Sequence, residues 1–144
     1  MMKRIGAWRG NRLLLVVVAT LVGSVIGIGV DRVALAQQPG IKRTILLRAD
    51  DPAGPTYEAV MGVAEIAPGA SSGKHRHNGI EVGYVLQGSL IVEHAGEPAV
   101  TYSAGQAFEN PGGVHDARNP GKTPVKILAV YIVEKGKPLA EPVP

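Results

Sequence analysis

The chain has 144 residues, of which 45% are hydrophobic and 19% charged, with 15 Lys and Arg against 12 Asp and Glu. This length suits one compact domain, and the formal charge of +3 is unevenly spread: from Gln37 onward ten basic residues meet eleven acidic ones, a net of −1. Nothing in that part suggests nucleic-acid binding. The absence of Cys excludes a disulfide framework, which leaves apolar burial, with or without a bound metal, to hold roughly a hundred residues together.

The positive excess sits at the start. Lys3, Arg4, Arg9 and Arg12 come without an acidic residue, Leu13 to Val30 carries no charge, and Ala34-Leu35-Ala36 offers a small-x-small cleavage site. Residues 1–36 read as an export signal, with cleavage after Ala36. The alternative is an uncleaved membrane anchor over residues 13–30, because eighteen helical residues would span about 27 Å at ~1.5 Å each, close to a bilayer core. Either way the four basic residues ahead of the run direct the rest outward, to the periplasm or beyond the cell.

Residues 37–144 show no 3.6-residue amphipathic pattern, and Gly and Pro interrupt them every eight to twelve residues. An all-β fold follows. Strands are expected at Thr44 to Leu47 and Tyr57 to Ala67, separated by the turn "DDPAGP". Ile80 to Leu86 and Leu90 to His94 read as a hairpin joined by Gln87-Gly88-Ser89. Val100 to Tyr102, Gln106 to Glu109 and Val125 to Val133 complete the set. The last of these, "VKILAVYIV", is apolar on both faces, which suits either a central strand or one covered by a second subunit. Residues 134–144 carry three prolines and are expected to wrap or dangle rather than form an element.

Chemistry concentrates between Gly69 and Asn119. In "SGKHRHNGIEVGYVLQG", His75, His77 and Glu81 share parity, so an unbroken strand would turn all three to one face. His115 follows in "GQAFENPGGVHDARN". A His-x-His pair alone is commonly surface decoration, whereas three imidazoles plus a carboxylate at joint spacings form a nitrogen and oxygen donor set for a transition metal. His94 ends a strand beside "AGEP" and reads as an exposed turn residue.

The spacing Gly69-x5-His75-x-His77-x3-Glu81-x6-Gly88 resembles the first signature of the cupin superfamily. Gly112-x2-His115-x3-Asn119 resembles the end of the second, although Gly105 and Pro111 are each displaced by one residue. The resemblance implies a single jelly-roll β-barrel of the RmlC-like kind. It also implies one divalent metal (Fe, Mn, Ni, Zn, Cu or Co) held by His75, His77, Glu81 and His115. A small molecule is then the partner, with a homodimer as a further expectation and membrane contact only through a retained leader.

Among resembling proteins, the quercetinase-like and diketone-cleaving cupins suggest a metal-dependent oxidoreductase of dioxygenase-like type. A non-catalytic metal-dependent binder of a small ligand is the alternative. Glu65, Glu109, Arg118 and Tyr131 are candidate acids or bases, none singled out by a motif. Glu65 reads as outward-facing, Tyr131 as core, and Asp116 and Arg118 as turned away from the metal. Gly83, two residues past Glu81, either leaves space beside the metal or marks a bend.

Overall fold

The structure is a computed structural model and describes residues 38–144; the expected leader over 1–36 lies outside the described residues. Its ten strands, all antiparallel, are β1 (Ile41–Asp50), β2 (Tyr57–Ile66), β3 (His75–Arg76), β4 (Gly79–Gln87), β5 (Ser89–His94), β6 (Val100–Ser103), β7 (Ala107–Asn110), β8 (His115–Arg118), β9 (Val125–Glu134) and β10 (Glu141–Pro142). They form two five-stranded sheets, ordered β1-β2-β9-β4-β7 and β10-β3-β8-β5-β6. Among the described residues no helix is long and apolar enough to cross a membrane.

Alternation fixes which residues fill the space between the sheets. Along β4, Glu81, Gly83 and Val85 are buried while Val82, Tyr84 and Leu86 are exposed. β9 lies between β2 and β4, and its Val125, Ile127, Ala129, Tyr131 and Val133 point inward. With Val60, Ile66, Leu90 and Val92 they form the core, each large aliphatic contributing about 1.5–3 kcal/mol on burial. The outward face of β9 is less covered, and Ile132 is 42% exposed.

Two expectations are corrected. The Gln87-Gly88-Ser89 connection is not a hairpin, because β4 pairs with β7 and β9 whereas β5 pairs with β6 and β8. Gly88, at φ 82°, passes the chain between the sheets, and a Cβ there would press on Val125. The C-terminal segment does form an element: β10 pairs with β3, Val143 N–H donates to the Lys74 carbonyl, and Leu139 is buried in the core. Pro142 is tolerated because this short strand is an edge, and Pro138 lies in the turn before it.

Candidate metal centre

Two facing rows of side chains build the site. In one sheet β8 lies between β3 and β5, so His115 is directly opposite His75 on one side and His94 on the other. Directly paired residues share a face, and the ring centroids are 4.3 Å apart for His75 and His115 and 5.8 Å for His94 and His115. In the other sheet Glu81 of β4 is flanked by Tyr131 of β9 and Asn110 of β7. His77 sits in the link between β3 and β4. The rows therefore read His75-His115-His94 against Tyr131-Glu81-Asn110.

His75, His77 and Glu81 do not share one strand. The chain leaves the second sheet after Arg76 and enters the first at Gly79, so shared parity is not what brings them together. Gly79 permits this crossing, since a Cβ there would collide with the Ile132 carbonyl oxygen. Ligands from both sheets thus meet at the point where the chain changes sheet.

All three expected histidines and Glu81 are buried and converge. Donor atoms of His75, His77 and His115 lie within 4.8 Å of one another. Glu81 Oε2 is 3.1 Å from His77 Nε2 and 3.7 Å from His115 Nε2. Each Nδ1 is spent on a backbone carbonyl: His75 on Gly73 at 2.9 Å, His77 on Leu139 at 2.6 Å, His115 on Gly113 at 3.0 Å. Those acceptors assign a proton to Nδ1, so in the neutral ring each Nε2 is left with a lone pair. A bare Nε2 at 3.1 Å from the Glu81 carboxylate, with that of His115 at 3.7 Å, repels it unless a proton or a cation lies between them. The donor set accordingly fits a metal ion, with the outer hydrogen bonds that orient metal-binding imidazoles already in place.

Protonation follows from these surroundings. Burial lowers His75 to a pKa of about 4, opposed by its bond to Gly73 and aided by the neighbouring His115 and His77. Burial would raise Glu81, but in the metal-free site His115 and His77 rings that carry a proton on Nε2 as well, the charge of His77 in that form, and the Asn110 amide hold its carboxyl well below the usual range. Tyr131 is raised well above its usual value, first by burial and then by the Glu81 carboxylate beside it. At neutral pH the centre therefore offers a neutral His75, an ionised Glu81 and a protonated Tyr131.

The remaining candidates separate clearly. Glu65 faces outward and pairs with Lys126 at 3.6 Å, and Glu109 and Arg118 are exposed. Asp116 accepts hydrogen bonds from Ser71 and Ser72, on the far side of β8 from the site. Tyr131 is the candidate that reaches the centre, its ring centroid 4.9 Å from that of His77. Asn119 is buried and ties the following turn to β2 by donating to the Ile66 and Thr123 carbonyls. Gly83 leaves no space beside the site: the Phe108 ring lies against it, and a Cβ would overlap that ring.

His94 is corrected too. It is half-buried and points inward, with Nε2 2.8 Å from Asn110 Oδ1. Asn110, 1% exposed, donates to Glu81 Oε2 at 2.5 Å. Sequence reasoning also missed Asn110, Arg43 and Leu139. Strand parity with Phe108 was the available signal for Asn110; nothing local marks the other two. Arg43 of β1 lines a cavity of about 30 Å³ that also touches His75, Glu81 and His115. A separate, more open cleft of about 400 Å³ reaches His94 and His115 from outside, past Lys74 and Val143.

The cupin domain family matches residues 62–131. An oxalate-binding protein of Thermotoga maritima is 31% identical over 70 residues, 48% of this chain and 58% of that protein, so this chain spans less than two thirds of its relative. KdgF from a Halomonas species is 31% identical at a TM-score of 0.50, covering 65% of this chain and 82% of that one. A Klebsiella pneumoniae protein with a double-stranded β-helix domain shares the fold, with a TM-score of 0.58, 21% identity, and coverage of 70% and 84%. Two antiparallel sheets closing on a three-histidine group that can hold a metal, together with these matches, make the chain a member of the cupin superfamily.

Proposed function

We propose that the barrel holds one divalent transition metal through His75, His77, Glu81 and His115 and uses it, with Arg43, to bind a small carboxylate. The observation carrying this is the commitment of all three Nδ1 atoms to carbonyls, which turns three Nε2 lone pairs and one carboxylate on a common point. Such a metal would supply Lewis acidity to an oxygen ligand. Around it, Arg43 contributes a guanidinium to an anion in the same cavity, and Tyr131 keeps a hydroxyl proton available beside Glu81. About 30 Å³ is the share of one water, whereas drug-sized ligands occupy about 300–1,000 Å³. A ligand of few atoms is favoured over a flavonol. The resemblance to an oxalate-binding protein supports a dicarboxylate.

Dioxygenase-like turnover is the second reading. Four protein donors leave two positions of an octahedral metal, enough for a ligand atom and a second small molecule. One experiment separates the readings: load the full chain with each metal in turn, measure metal per chain by elemental analysis, then titrate oxalate while following heat and oxygen. Expected is one metal per chain, lost in His77→Ala, and oxalate heat that falls at least tenfold in affinity in Arg43→Leu. Oxygen consumption selects turnover, and its absence selects binding. Less than a tenth of a metal per chain from every metal offered sinks both.

The proposal extends to location. The order of basic residues, apolar run and Ala34-Leu35-Ala36 supports export, and a mature N-terminus at Gln37 is expected by Edman sequencing. A start at Met1 in the membrane fraction would favour the anchor over residues 13–30. A homodimer across the outward face of β9 and β4 belongs to the same reading, checked by light scattering.

A further inference from the structure

The geometry points to His94 as a positioning residue that sets the Glu81 carboxylate through Asn110, an inference that rests on the metal-binding reading above. His94 Nε2–H donates to Asn110 Oδ1 at 2.8 Å, and Asn110 Nδ2 donates to Glu81 Oε2 at 2.5 Å. The chain of bonds is directional. An amide has one acceptor end and one donor end, and Glu81, being ionised, only accepts. With Nδ2 committed to the carboxylate, the oxygen must face His94, and only a donor there keeps the amide from flipping. A flipped Asn110 would set its carbonyl against the carboxylate, pushing Glu81 off its present rotamer.

Position makes the role specific. Asn110 is 1% exposed, so with His94 in place its amide oxygen has that imidazole rather than solvent as partner. His94 itself borders the outer cleft of about 400 Å³, and its ring lies 5.8 Å from that of His115. A side chain outside the donor set thereby fixes the orientation of the sole carboxylate within it. Outer hydrogen-bond partners of metal ligands are worth about 10–100-fold in affinity.

The test uses the full chain and Co(II) as probe, with His94→Ala, His94→Gln, Asn110→Ala and the His94→Ala/Asn110→Ala double variant. Co(II) affinity is measured by competition with a chelator, and the visible ligand-field spectrum of the bound ion is recorded. His94→Ala should lose about tenfold in affinity and shift the spectrum. His94→Gln, which presents an N–H near the Nε2 position, should restore both. The double variant should match Asn110→Ala alone, because His94 acts through Asn110. Additive losses, or a His94→Ala spectrum identical to wild type, overturn the inference.

A metal-free readout keeps this apart from the metal proposal. The Asn110 side-chain amide protons, followed by NMR, should sit downfield and exchange slowly in wild type and His94→Gln. They should lose both properties in His94→Ala. Failure of wild type to bind Co(II) would count against the metal reading, and an unchanged Asn110 amide against this one.

Discussion

Gly83 shows how much one missing side chain can decide. Its hydrogen faces inward between Glu81 and Val85, and the Phe108 ring fills the space across the strands. Adding one methyl forces that ring aside, and overpacking of this kind costs about 1–3 kcal/mol. Gly83→Ala should therefore lower stability by that amount in a denaturant melt. Gly83→Ala combined with Phe108→Leu should recover much of the loss, the non-additivity reporting direct contact. The same scale governs acid behaviour. Between pH 6.5 and about 4 the unfolded chain binds a proton at His75 that the folded chain refuses. Stability of the metal-free barrel should then fall as pH falls through that window, on the order of 1.4 kcal/mol per unit. Glu81, held below its ordinary 4.5, gives stability present above that value and lost below it, so the decline continues under pH 4.5. Denaturant melts from pH 8 to 3 check the slope; a flat profile would contradict both protonation assignments.

At the scale of elements, the candidate ligands were legible and the reason for their convergence was not. His75, His77, Glu81 and His115 stand out because residue type and spacing are local properties of the chain. Strand parity seemed to explain them, yet β3 ends at Arg76 and β4 begins at Gly79 in the opposite sheet. Seven strands were expected, the four-residue β6 and β7 among them; β3 and β10, of two residues each, are too short to show a period, and the four-residue β8 was missed as well. The role of the segment leading into β10 is nonlocal as well. Leu139 is 3% exposed, and its carbonyl holds His77 Nδ1 across 62 residues. Leu139→Ala should cost about 2–5 kcal/mol by loss of packing alone. Truncation before Pro138 removes the carbonyl too and should weaken metal binding by about 10–100-fold, measured by chelator competition.

Over the whole molecule, the candidate metal site belongs to both sheets at once, with Glu81 on one and His75 and His115 on the other. A ligand that binds only the closed barrel stabilises it by mass action, about 2.7 kcal/mol at a free concentration one hundred times Kd. For a domain of this size that corresponds to a rise in Tm of roughly 10–20 °C, scaled from about 4–8 °C per kcal/mol. Calorimetry with and without metal checks this, and the rise should vanish in His115→Ala. The outer face of the first sheet, with Val82, Tyr84, Leu86 and Ile132 exposed, contributes nothing to this clasp.

The distance in sequence between His77 and its carbonyl partner has one more implication. A ribosome makes the imidazole 62 residues before the oxygen that aims it. Until that late segment folds back, His77 lacks the acceptor that orients its ring, whereas His75 and His115 find theirs two residues away. A three-imidazole donor set with every ring oriented is therefore complete only once the last residues of the chain have been made and have docked.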